Sequence, residues 1–239
     1  LAVRHTGWYR VSQPELIAAG LKKNADMREL QLFADGVEVP IRINSNKSSG
    51  PLKPGDSIEF YGVGLNTPST DTRDYWLTSG VKEGKRINPQ NLKQANTSGA
   101  LQSFNYTVEH KERLVYFSGL LNGEAENFFG KVINNAPATQ TLSVEHLATG
   151  AASPAKLQVA LQGVTLIDHS VKVLLNGTEL GILNFSAQSK QVAELSIASG
   201  LLHDGDNTVT LQSLNSSTDI SLVDYLRLTY AHTYQADND

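Results

Sequence analysis

Residues 170–185 read SVKVLLNGTELGILNF, two alternating apolar–polar runs joined by Asn176-Gly177. Alternation with period two sorts side chains onto the two faces of a strand. An Asn-Gly pair between such runs is a strong hairpin signal, because both central positions of the favoured turn need positive φ. Working outward, the same alternation recurs in TLSVEHL (141–147), KLQVALQG (156–163), VAELSI (192–197), NTVTLQSL (207–214) and LVDYLRLTY (222–230). The runs follow one another at roughly 10- to 15-residue spacing with no helical pattern between them. Leu157, Val159 and Leu161 fall on one face, as do Val209 and Leu211, and Leu226, Leu228 and Tyr230. This pattern predicts a β-sandwich over residues 103–239, read as a jelly roll.

Upstream the pattern is mixed. GWYRVSQPELIAAGL (7–21) predicts a strand running into one short helix. Ser12 suits the N-cap, Pro14 the first turn, and Glu15 completes a capping box, with Gly20 as the left-handed stop. Leu16 and Ile17 are expected to pack inward. In ELQLFADGVEVPIRI (29–43) two alternating runs flank Asp35-Gly36, a second hairpin, and Pro40 marks the second strand as an edge. Residues 1–81 therefore read as a small β-rich unit with one helix. Residues 82–102, polar and aperiodic, read as a linker or exposed excursion.

Composition narrows the function. The 239 residues are 40% apolar and 18% charged with a formal net charge of −4, and no basic block offers a nucleic-acid footprint. No apolar run approaches the ~20 residues that cross a bilayer. The chain has no cysteine, which removes disulfides, thiolate metal sites and a thiol nucleophile together. A cysteine-free, Ser/Thr/Asn-rich β protein fits a secreted bacterial source better than a eukaryotic one. The opening Leu1 and the polar QADND at the other end read as the cuts of an excised fragment.

Residues 58–77, IEFYGVGLNTPSTDTRDYWL, are the richest in candidate features. Gly62 and Gly64 are followed by Thr67 where a dinucleotide fingerprint needs its third glycine, and no amphipathic helix follows. Asp71 and Asp74 are the candidate calcium ligands, although a hard cation wants more oxygens than this run supplies. The competing reading is a turn closed by Ser, Thr and Asp side chains. Phe60, Tyr61, Tyr75 and Trp76 are expected to clamp the loop's two ends onto the core. The six histidines (His5, His110, His146, His169, His203, His232) show no zinc spacing and read as surface or half-buried strand residues. No Gly-x-Ser-x-Gly elbow is present. HDGDNTVTL (203–211) imitates the start of a calcium loop through Asp204, Asp206 and Asn207 but continues as a strand, so it reads as a tight turn. Glu124, Glu126 and Asp224 are stray carboxylates that nothing in the sequence pairs for glycosidase chemistry. Trp8 and Trp76 precede the linker. Phe128 and Phe129 stand at the sandwich entrance, and Phe185, Tyr225 and Tyr230 within it are its candidate sugar platform. Tyr225 and Tyr230, five apart, face opposite sides of a regular strand.

The runs 7–21, 29–43 and LKPGDSIEFYGVGLNTPSTDTRDYWL (52–77) together resemble the segment upstream of the peptidase domain in gingipain-like cysteine peptidases, the group of the type IX secretion sortase. Asn66 stands where that pattern has Asp. NFFG (127–130), VKVLLNGTELGILNF (171–185), GLLHDGDNTVTL (200–211) and SLVDYLRLTYAHTYQADND (221–239) are similar to the jelly roll preceding the catalytic domain there. The resemblance implies an all-β chain with a small N-terminal unit and a jelly-roll, galactose-binding-like sandwich. It carries over no catalytic residue, because the family's Cys and His belong to a domain this sequence lacks. It also implies a secreted or surface location and a non-catalytic accessory or pro-region role. The downstream peptidase domain of the same polypeptide would be its partner, with no cofactor. Arg73, Tyr75, Trp76 and Tyr225 are the candidate partner or ligand contacts, and Lys82, Lys85 and Arg86 a candidate projecting basic element. A carbohydrate-binding jelly roll that contacts a surface glycan is the alternative, and a hydrolase with a distributed site the third reading.

Overall fold

The computed structural model describes residues 1–65, 67, 69–88, 102–123, 125, 127–150, 154–215 and 217–237. The chain divides into two compact units, residues 1–95 with 123–126 and residues 96–122 with 127–239. Antiparallel β-structure dominates both. One six-residue α-helix is present among the described residues.

In the first unit the strands are β1 (Ala2–Val3), β2 (Gly7–Ser12), β3 (Leu30–Ala34), β4 (Val37–Val39), β5 (Arg42–Asn44), β6 (Ser57–Gly62) and β7 (Arg73–Ser79). They form two sheets, β1-β7-β3-β4 and β2-β6-β5, around a core that includes Leu30, Leu32, Ile41, Ile58, Phe60 and Tyr75. Asp35 and Gly36 take φ of 50° and 77°, the mirror-image turn their sequence predicts. Pro40 does more than mark an edge. It ends β4, and the chain resumes as β5 in the other sheet, with the fully buried Ile41 at the crossing.

Helix α1 (Gln13–Ala18) begins as the sequence predicts, with the Ser12 backbone N–H and hydroxyl both donating to the Glu15 carboxylate at 2.7 and 2.6 Å. At its end Gly20 has φ of 104°, and the Leu21 and Gly20 amides donate to the Leu16 and Ile17 carbonyls. That pair of bonds satisfies carbonyls the helix leaves open. Leu16 is buried and Ile17 only half so.

The start of the expected linker belongs to this unit. Ile41 donates to the Lys85 carbonyl and accepts from the Ile87 amide, and Gly84 donates to the Arg28 carbonyl. Gly84 passes so close to the Leu30 carbonyl that an added Cβ would lie 2.0 Å from its oxygen. Arg86 turns inward and donates to the carbonyls of Met27, Arg28, Leu30 and Lys85 at 2.7–3.0 Å. Burial pushes its pKa down. Of the proposed projecting basic element, Arg86 is therefore a structural residue, while Lys82 and Lys85 are exposed.

In the second unit the strands are β8 (Ser103–His110), β9 (Val115–Tyr116), β10 (Phe128–Phe129), β11 (Val132–Ile133), β12 (Ala138–Val144), β13 (Lys156–Gly163), β14 (Asp168–Leu175), β15 (Thr178–Ser186), β16 (Lys190–Ser196), β17 (Gly205–Ser213) and β18 (Ser221–Thr233). One sheet runs β11-β18-β13-β16 and the other β12-β17-β14-β15. Numbering these eight strands in chain order, the sheets read 1-8-3-6 and 2-7-4-5, the double Greek key of a jelly roll. β8 pairs with the far half of β18, and β9 pairs with β10 separately. Between the sheets lie the predicted inward faces, Leu157, Val159 and Leu161, Val209 and Leu211, and Leu226, Leu228 and Tyr230, all buried. Asn176 and Gly177 close the β14–β15 hairpin at φ of 49° and 82°.

Candidate interaction surface

The quoted run 58–77 turns out to be two strands in different sheets with a side-chain-closed turn between them. Thr67 Oγ1 donates to the Thr70 carbonyl at 3.0 Å and accepts from the Thr70 amide, and the Thr72 amide donates to Thr70 Oγ1 at 3.0 Å. Gly64 lies against the Arg4 backbone, where an added Cβ would sit 2.3 Å from the carbonyl oxygen. Asp71 accepts from Thr72 Oγ1 and lies 3.8 Å from Arg4, whereas Asp74 is exposed on β7 opposite Ala2. Among the described residues the grouping able to hold a metal is elsewhere and contains neither aspartate. Asn66, the departure from the family pattern, lies outside the described residues.

The aromatic clamp forms only in half. Phe60 and Tyr75 are buried with ring centroids 5.3 Å apart, and the Tyr75 hydroxyl accepts from the Val63 amide at 2.8 Å. Tyr75 is thus core and unavailable as a partner contact. Tyr61 and Trp76, the next residue along each strand, point outward because neighbours on a strand face opposite ways. Trp76, 68% exposed, stands opposite Phe33 on the outer face of its sheet. Arg73 pairs with Asp35 at 3.0 Å beside the hairpin tip.

The outer face of β2-β6-β5 carries a two-row ladder. In one row Trp8 (65% exposed) and Tyr61 (49%) are cross-strand partners, their rings meeting edge to face at 5.9 Å. In the next, Arg10 and Arg42 flank Glu59 at 2.7 and 3.8 Å. The Arg10 hydrogen bond holds the Glu59 carboxyl below its ordinary range, so the row stays charged at neutral pH. Trp8, Arg42, Glu59 and Ile87 line a hollow of about 410 Å³. Sequence reading placed Trp8 outside the sandwich without seeing this pairing. Strand parity could have put Trp8 and Arg10 on one face, but the register that brings Tyr61 and Glu59 beside them is not written locally.

In the jelly roll Tyr225 lies half-buried on the outer face of β18, with the Arg227 guanidinium 4.2 Å from its ring centroid and Lys190 at 5.6 Å. A sugar would have to displace Arg227 to stack there. Asp224 is the extra residue of a β-bulge, since Ala160 pairs with Tyr225 and Leu161 with Val223. Its carboxylate meets Lys190 at 2.7 Å and Lys111 at 3.8 Å. Glu124 and Glu126 lie outside the described residues.

Two histidines are more deeply placed than the surface or half-buried positions expected: His169 and His232 are each 2% exposed. His169 joins Asp219 and Ser213 in a grouping with the composition of a catalytic triad. Its wiring is different. Ser213 Oγ donates to Asp219 Oδ2 at 2.9 Å, and the Nε2 of His169, which a general base would turn to the serine, faces the carbonyls of Ala187 and Thr165 at 2.9 and 3.1 Å. No proton can pass from the serine to the ring, so the hydroxyl is not activated. HDGDN forms a turn that leads into β17. Asn207, fully buried, bonds Asn176, His203 and Gly205 and ties this turn to the β14–β15 hairpin.

No protein-family model matches the sequence, and no curated protein matches it. Among solved structures the chain is similar to dimeric latent PorU from Porphyromonas gingivalis, with a TM-score of 0.68 at 12% identity. That overlap takes in 100% of this chain and 24% of PorU, so the chain spans about a quarter of that protein's length. Weaker overlaps occur with the CBM36-1 domain of a multidomain xylanase from the hindgut metagenome of Trinervitermes trinervoides (TM-score 0.35, 14% identity, 57% of this chain and 100% of that one). A carbohydrate-binding module CBM36 in complex with calcium and xylotriose overlaps similarly (TM-score 0.32, 17% identity, 52% and 98%). At these identities the likeness is one of fold, and the two weaker overlaps carry no argument about sugar or calcium. No described helix is long and apolar enough to cross a membrane.

Proposed function

We propose that this chain is a non-catalytic module of a secreted or surface gingipain-like cysteine peptidase. It acts by protein–protein contact, assisting the folding of the peptidase domain of the same polypeptide, restraining it or positioning it. The observation that carries this reading is the ladder of Trp8 and Tyr61 above Arg10, Glu59 and Arg42 on an open sheet face. Tryptophan, tyrosine and arginine are the residues that dominate binding energy at protein interfaces. Exposing large aromatic rings to water without a partner is unfavourable, whereas covering them releases that cost. Trp76 and Arg73 offer a second contact on the other sheet. Support comes also from the fold shared with a quarter of latent PorU, from the sequence resemblance, and from a Ser/His/Asp grouping wired for structure rather than chemistry.

The test uses the peptidase domain encoded with this chain. Trp8→Ser combined with Tyr61→Ser is expected to weaken its binding to the chain at least tenfold, which corresponds to about 1.4 kcal/mol. Both side chains are exposed, so the melting temperature should stay within about 1 °C of wild type. Unchanged affinity in the double variant would remove this face from the contact. Sugar binding without peptidase binding would replace the reading altogether.

A further inference from the structure

β5 is the last strand of the sheet β2-β6-β5, and the bonding pattern of that sheet leaves one of its residues open. In an antiparallel pair, bonded and unbonded partners alternate. The Gln13 amide donates to the Asp56 carbonyl, so along β6 it is Ile58 and Phe60 that bond to β2. Ser57 and Glu59 are left to bond Asn44 and Arg42 of β5. Ile43, between these two, turns its amide and carbonyl to the outer side. Ile41 does the same two residues earlier, and there residues 85–87 cover it, Ile41 donating to Lys85 and accepting from Ile87. That cover stops short. Among the described residues neither backbone group of Ile43 is bonded, and the residue is only half-buried.

Beside this edge is a hollow of about 300 Å³ lined by Ile43, Ile87 and four cations, Arg28, Arg42, Lys47 and Arg86, with no carboxylate on its wall. Asp26 balances Arg28, and Arg42 shares Glu59 with Arg10. Among the described residues Lys47 and Arg86 have no carboxylate within ion-pair distance, and Glu38 and Glu83 act on Arg86 only from farther off. The four bonds of the Arg86 guanidinium go to carbonyls, which accept its hydrogens without cancelling its charge. Two uncompensated positive charges at one partly dehydrated wall attract an anion. Arg42 and Ile87 also line the hollow beside Trp8, so the cationic and aromatic hollows adjoin.

A free anion would meet the charges and the Ile43 N–H but would offer nothing to the Ile43 carbonyl, which needs a donor. An extended peptide supplies donor and acceptor from one residue and adds a strand to the edge. We propose that the β5 edge at Ile43 and the adjoining hollow bind an extended acidic segment of the partner, its backbone paired with Ile43 and a Glu or Asp carboxylate meeting Lys47 and Arg42. The inference rests on the reading of this sheet as the contact with a partner domain, and adds the chemistry that the partner presents.

The test titrates the chain with a fluorescein-labelled peptide, Thr-Val-Glu-Val-Glu-Val-Thr, and with its counterpart carrying Gln for Glu, followed by fluorescence anisotropy. The Glu peptide is expected to bind about tenfold more tightly, and hydrogen exchange at the Ile43 amide should slow in its complex. Lys47→Glu, a change at an exposed residue, should remove most of that preference and keep the melting temperature within about 1 °C of wild type. Raising the salt from about 0.1 M to about 1 M shortens the screening length from about 10 Å to about 3 Å and should weaken the Glu peptide several-fold. The proposal is overturned if neither peptide binds at millimolar concentration, if the two bind equally, or if Lys47→Glu keeps the preference. Displacement by inorganic phosphate at the peptide's own concentration would show a small-anion site and overturn it too. Any of these results alongside weakened peptidase binding in the Trp8 and Tyr61 variant would remove this inference alone. Peptide binding without peptidase binding would remove the peptidase as partner and leave the acidic-peptide site standing.

Discussion

Replacing Asp219 by alanine is expected to destabilise the jelly-roll unit by about 3–5 kcal/mol, the cost of removing one partner from a buried ionic pair. Asp219 and His169 are both fully enclosed, and Asp219 Oδ1 meets His169 Nδ1 at 2.5 Å. The other carboxylate oxygen accepts from Ser213 Oγ at 2.9 Å and Asn215 Nδ2 at 3.0 Å. Alanine would leave His169 Nδ1 without its partner where water cannot reach and would take an acceptor from the half-buried Ser213 hydroxyl. Asp219→Asn should be far milder, about 1 kcal/mol. With Nε2–H committed to carbonyls, a neutral His169 presents a lone pair at Nδ1, which the asparagine amide can meet while its oxygen still accepts from Ser213. The pair also explains Gly163, where an added Cβ would lie 1.9 Å from the Ala187 carbonyl oxygen and 2.7 Å from His169 Nε2. Far-UV circular dichroism against urea measures the loss. Equal effects of the two substitutions would contradict the hydrogen-bond account and leave only the volume change.

The second large effect is expected in the other unit. Arg86→Ala should cost about 2–4 kcal/mol, because the guanidinium serves four backbone carbonyls, two of them on the fully packed residues Met27 and Leu30. Lysine, a point charge without the planar fork, should recover only part of this. Both tryptophans, Trp8 and Trp76, belong to this unit, so fluorescence follows its unfolding selectively. Arg86→Ala should shift the fluorescence transition, and Asp219→Ala should leave it in place. A wild-type midpoint in Arg86→Ala would mean that residues 82–88 add nothing to the unit.

The sandwich was legible because its information is local. Alternation marks the faces of β13, β17 and β18, and Asn176-Gly177 can only turn one way. What stayed hidden depends on residues far apart in the chain. Nothing near His169 announces Asp219, fifty residues on. Nothing in the polar KEGKR tells that Arg86 folds back onto carbonyls of residues 27–30, so solubility looked like detachment. The bulge at Asp224 is likewise set by its two lysine partners and by register rather than by any local signal. One miss was avoidable. Phe60 and Tyr61, like Tyr75 and Trp76, are adjacent on strands and cannot all clamp a core, and parity alone sends one of each pair to solvent. The candidate surface is built from those outward members.

The role proposed for that surface is open to one direct measurement: hydroxyl-radical footprinting of Trp8, Tyr61 and Trp76 in the isolated chain and in the proposed longer polypeptide that carries the peptidase domain. Oxidation of an aromatic ring tracks its exposure, and 65% and 68% exposure make both tryptophans reactive in isolation. A module that binds its own peptidase through the ladder predicts that Trp8 and Tyr61 are protected several-fold in the longer protein. Equal oxidation of these rings in the two samples would contradict it.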